Sequence, residues 1–67
     1  PDLPAAAATR YAIGRVLHRA SEKAREDPRA KLWAARSVEH LQRARDDTQL
    51  SRHRRAVSER LLEQAKG

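Results

Sequence analysis

The chain has no cysteine, no phenylalanine and no methionine, and it carries one tryptophan, one tyrosine, two glycines and three prolines. Without cysteine there is no disulfide to staple a small domain and no thiol nucleophile. That composition is in keeping with a reducing compartment, so an intracellular, cytoplasmic location is expected. Two aromatic residues are too few for a stacking platform of the kind that reads RNA or single strands. No apolar run approaches a membrane span. Tryptophan and leucine are not massed opposite the arginines as an interfacial helix requires, so no membrane association is expected. The alanine run at 5–8 lacks the basic flank and leucine-type core of a secretion signal.

Catalytic equipment is also missing. There is no glycine-rich phosphate loop and no acid pair in an evident cleft, and a chain this small cannot easily form a substrate pocket unaided. Ser21, Ser37, Ser51 and Ser58 read as isolated surface or capping serines. No enzyme, catalytic residue or cofactor is expected. His18 and Glu22 stand four residues apart on one helical face, with Glu39-His40 and His53 elsewhere. No third ligand closes a site as the H-E-x-x-H pattern does, so no metal is expected.

What remains is charge and helical periodicity. Fifteen basic residues, twelve of them arginine, face nine acidic ones, for a net charge of +6. Such a balance favours an anionic partner. The 67 residues make a single domain over 1–67. A core of this size is marginal without a staple or a second copy.

Three apolar stripes recur at i, i+3, i+4 and i+7. The first is Ile13, Val16, Leu17, Ala20 and Ala24. The second is Trp33, Ala34, Val38, Leu41 and Ala44. The third is Leu50, Val57, Leu61 and Ala65. Asp2 can cap a first helix entered through Pro4. Gly14 inside it costs about 1 kcal/mol relative to alanine, unless a neighbour packs closely there. Asp27-Pro28 is the clearest boundary, because Pro28 cannot continue a helix but can open one that Asp27 caps. Asp46-Asp47-Thr48 is the next. A continuous helix from 28 onward would point the second and third stripes in nearly opposite directions, whereas a break lets both face one core. Helices are therefore predicted over about residues 4–26, 28–45 and 48–65. The fold expected is all-α: a small antiparallel three-helix bundle or helical hairpin, completed by oligomerisation.

Arg29, Arg36 and Arg43 recur every seven residues and line one side of the second helix, beside His40 and Trp33. Arg52, Arg54 and Arg55 follow. Spaced guanidiniums can track successive phosphates. They can equally form a solvated face, paired with Glu22, Glu26, Glu39, Glu59 and Glu63 three or four positions away. Trp33 reads either as closing the core or as an interface anchor. Arg54 falls within the third stripe and must either snorkel to solvent or reach an acid across an interface.

The leading expectation is a non-enzymatic helical protein–protein interaction module, homo-oligomeric or an accessory subunit. Its partner would be a protein or a second copy. The seam would involve Trp33, Leu41, Leu50, Val57, Leu61 and Leu62. The alternative is a small basic nucleic-acid-binding or regulatory protein contacting phosphate through Arg29, Arg36, Arg43, Arg52, Arg54 and Arg55.

Overall fold

The computed structural model describes residues 5–66, so the expected cap from Asp2 and the entry through Pro4 lie outside the described residues. Three helices follow in order: α1 (Ala5–Lys23), α2 (Ala30–Asp46) and α3 (Arg52–Lys66). They form a small all-α bundle with principal extents of 36 × 23 × 14 Å. The shortest dimension is barely more than one helix diameter, so every helix keeps a broad solvent face.

Local chemistry explains the breaks. The regular part of α1 stops at Lys23, short of the expected 26, and a turn follows in which the Asp27 amide donates to the Ala24 carbonyl at 2.9 Å. The Asp27 carboxylate then accepts the Arg29 amide at 2.8 Å, with Pro28 between them. The N-cap of α2 is therefore Arg29, without a side-chain cap bond, and not Asp27 as expected; the Asp27 carboxylate closes an Asx turn just ahead of it, and proline sits where no amide is needed. The regular helix begins two residues later than Pro28, at Ala30, after a tight turn closed by the Ala30 amide on the Asp27 carbonyl.

At the second corner Asp47 turns to extended backbone (φ −81°, ψ 125°). Its carboxylate accepts the Gln49 amide at 2.8 Å, which closes an Asx turn. Ser51, outside the helix, caps α3 by accepting the Arg54 amide at 3.2 Å. Periodicity predicts a third helix from 48. It starts instead at Arg52, because residues 47–51 are occupied by this corner. Leu50 is therefore not a helical stripe position. It is a buried loop side chain that plugs the α2–α3 corner.

α1 and α2 pack along their length, and α3 lies chiefly on α2 while barely meeting α1. Gly14 sets the closeness of the first pair. A Cβ there would stand 2.7 Å from Leu41 Cγ and 2.8 Å from Cδ2. The Ser37 hydroxyl donates to the Gly14 carbonyl at 2.8 Å, a bond between helices. These contacts and the six-residue connection (24–29) make the pair antiparallel. α3 returns along α2, with Arg54 near Tyr11 at one end and Leu61 near His18 and Ser21 at the other.

The core consists of Ala7, Tyr11, Leu41, Ala44, Leu50 and Leu62, with Val38, Val57 and Leu61 packed against it. Its α1 face differs from the expected one. Ala7, Tyr11 and Gly14 turn inward, while Ile13 and Val16 are exposed and Leu17, Ala20 and Ala24 are half-buried. Ranking by side-chain hydrophobicity selects Ile13 and Val16. The contact with α2 instead selects the small residues that let backbones approach, with Tyr11 supplying the area. Ser37 and Ser58 are buried, not surface serines. Ser58 is satisfied within α3 by the Arg54 carbonyl at 2.9 Å.

Candidate functional site

The six residues expected at a seam separate by depth. Leu41, Leu50 and Leu62 are buried inside the bundle, and Val57 and Leu61 pack partly against them. Their apolar surface meets neighbouring helices of the same chain. Trp33 is half-buried outside that cluster, with the Arg29 guanidinium over its ring at 5.1 Å from the centroid.

The six candidate phosphate contacts also separate. Arg29 is held by Asp27 through two side-chain bonds, at 3.1 and 2.9 Å. Those bonds hold the Asp27 carboxyl below its ordinary range, with the Arg29 backbone amide contributing next, and push the Arg29 guanidinium up. Arg36 pairs with Glu39 at 3.5 Å. Both pairs are exposed and contribute little on their own. Arg55 is structural, because its guanidinium donates to the carbonyls of Arg45, Asp47 and Leu50 at 3.1, 2.9 and 3.3 Å. These are among the carbonyls that the end of α2 and its corner leave without helical partners.

Arg54 is exposed and lies over the Tyr11 ring at 5.8 Å, a cation–π contact that accounts for its place on an apolar stripe. Arg43 and Arg52 are exposed and form no ion pair among the described residues. The ridge on α2 thus leaves Arg43 as its single unpaired arginine among the described residues. His40 beside it is half-buried, and its Nδ1 has no hydrogen-bond partner among the described residues. Glu22 is engaged by Arg25, whose hydrogen bond lowers the Glu22 pKa, the nearby charge acting in the same sense. Among the described residues no three His, Asp or Glu side chains converge. No described helix is long and apolar enough to cross a membrane.

Apolar periodicity does not single out the outer face of α1 as a site. A groove of about 770 Å³ runs along it. Its floor is the row Ala8, Ala12, Val16 and Ala20, four residues apart, and one wall is the row Arg15, Arg19 and Lys23 at the same spacing. Residues on such rows stand above one another on a helix. His53 and Arg54 from the start of α3 close one end. The guanidinium of Arg15 lies over Tyr11 at 5.5 Å, so two arginines share one ring. None of the described residues lining the groove is acidic, and its basic groups enter no ion pair among the described residues. A signal is present in the sequence: residues 3–21 contain three arginines and no acid.

Val16 is 66% exposed and Ile13, one row over, 40% exposed. Leu32 on α2 is 54% exposed. A second hollow of about 510 Å³ opens where α1 and α3 diverge over α2, lined in part by His18, Ser21, Val38 and Leu61. Comparison of the chain with protein-family models, curated proteins and solved structures finds no match.

Proposed function

We propose that this protein is a non-enzymatic helical protein–protein interaction module, homo-oligomeric or an accessory subunit of a larger assembly. The observation that carries this reading is the exposure of Val16, Leu32 and Ile13 on a bundle in which Leu41, Leu50 and Leu62 are already buried. Branched apolar side chains left in water on a chain with so few of them are surface that association removes from solvent. The cysteine-free composition supports a cytoplasmic setting for that role.

The second reading is phosphate contact by basic side chains that form no ion pair among the described residues, Arg43 and Arg52 on α2 and α3 together with the α1 row. Salt separates the two. Light scattering after size exclusion, at low and high salt, with and without a random-sequence DNA duplex, is the test. A salt-resistant assembly indifferent to DNA supports the module. A monomer that shifts onto DNA only at low salt overturns it, because counterion release makes phosphate binding steeply salt-dependent.

A further inference from the structure

We infer that the outer groove of α1 is a docking site for an acidic amphipathic helix of another protein. The inference rests on the interaction-module reading and selects its accessory-subunit branch. Three observations favour that occupant. The floor of Ala8, Ala12, Val16 and Ala20 is a ridge of mostly small side chains, over which a second helix can lie with its backbone close. The wall of Arg15, Arg19 and Lys23 presents an unneutralised cation at each turn, so the matching ligand carries carboxylates four residues apart beside its own apolar stripe. Arg15 and Arg54 both lie over the Tyr11 ring and both line the groove, which has no acid among its described lining residues, so an incoming carboxylate meets two guanidiniums at that end.

Competing occupants fit less well. Each of the three helices carries more basic than acidic residues, so a second copy offers no acidic helix and would set like charges face to face. Nucleic acid matches the basic wall but leaves Val16 and Ile13 in water. An anionic membrane finds alanine, Val16 and the half-exposed Ile13 to take up where interfacial helices use tryptophan, phenylalanine and leucine.

The stretch from Ala8 to Lys23 spans about 22 Å, so a partner helix of about twenty residues covers it. The probe is a fluorescein-labelled peptide of that length, with a leucine–alanine stripe flanked by glutamates at i and i+4. A scrambled peptide of the same composition and a DNA duplex serve as comparators. Fluorescence anisotropy against the full chain reads the affinity, and circular dichroism checks that each variant is folded. Arg15→Glu with Arg19→Glu, and separately Val16→Asp, are expected to weaken peptide binding by about tenfold or more. Arg19→Glu with Lys23→Glu repeats the charge test without touching the Tyr11 contact. Arg36→Glu with Arg43→Glu is expected to leave binding unchanged.

Equal binding of the scrambled peptide overturns the inference, since charge alone then suffices. So does binding of DNA in place of the peptide through the same arginines. Absence of peptide binding by a chain that still forms salt-resistant assemblies overturns the acidic-helix site and leaves the interaction module standing. Absence of both removes the two together.

Discussion

An alanine Cβ at position 14 would stand 2.7 Å from Leu41 Cγ and 3.4 Å from the Leu41 amide nitrogen. Leu41 is 1% exposed, so its Cγ has nowhere to withdraw. Gly14→Ala gains about 1 kcal/mol of helix propensity but meets an overpacking cost of about 1–3 kcal/mol. The expected outcome in urea unfolding is a net loss of about 1 kcal/mol, where the same substitution in an exposed helix would stabilise. The two buried serines make a second contrast. Ser37 ties α2 to the Gly14 carbonyl of α1, whereas Ser58 bonds only within its own helix. Ser37→Ala is expected to cost about 1 kcal/mol, the net worth of one such bond. Ser58→Ala should fall within about 0.5 kcal/mol of the parent, because alanine regains helix propensity. Equal losses in denaturant midpoints would deny Ser37 its role between helices. Neither serine nor glycine is legible as core from the sequence, because apolar patterning weighs hydrophobicity and not the closeness of two backbones.

At the scale of elements, the breaks are the most legible part. Proline without an amide and aspartate with a nearby acceptor leave few alternatives at Asp27-Pro28, and the phase of the stripes requires a turn near Asp47. The length of that turn is not legible. It depends on Arg55 reaching back to three carbonyls and on Leu50 filling the corner, contacts that exist only once α3 has folded back. The arginine ridge likewise looks uniform in the sequence. Its members differ because Asp27 and Glu39 pair with Arg29 and Arg36, whereas Arg43 forms no ion pair among the described residues.

The Asp27 carboxylate, bonded to the Arg29 amide and guanidinium, carries a pH prediction. Its folded pKa lies below the ordinary carboxylate value, first through the Arg29 side chain and then through the Arg29 amide. A carboxyl with a depressed folded pKa contributes stability above its unfolded pKa and loses it as pH falls through the folded one. Acid titration of stability, followed by the helical signal, should therefore show a loss that begins as pH falls into the ordinary aspartate range and is complete only below it. Asp27→Asn keeps an oxygen for the Arg29 amide but cannot titrate, so its stability should fall less over that window. An acid limb as steep as the parent's would place the titrating group elsewhere; Glu22, shifted the same way by Arg25, is the next group to test.

Taken whole, the bundle is a thin slab in which Leu41, Leu50 and Leu62 meet inside one chain. A core too poor to close alone argues for a seam of Trp33, Leu41, Leu50, Val57, Leu61 and Leu62. Five of those six lie in or against the internal core. The apolar surface left for a partner is smaller: Ile13 and Val16 on α1 and Leu32 on α2. It is hidden in the sequence because Ile13 and Val16 carry the usual marks of core residues, and the acid-free stretch around them is the only sign of a different use.

If the outer face of α1 is working surface and not core, a single variant, Val16→Asp, separates the two roles by two readouts. Thermal unfolding reads whether position 16 supports the fold, and anisotropy of the labelled acidic peptide reads whether it supports association. The expected result is stability within about 0.5 kcal/mol of the parent, as for an exposed site, together with about tenfold weaker peptide binding. Loss of several kcal/mol would place Val16 in the core, and a stable variant that binds the peptide as before would leave the α1 face without a function.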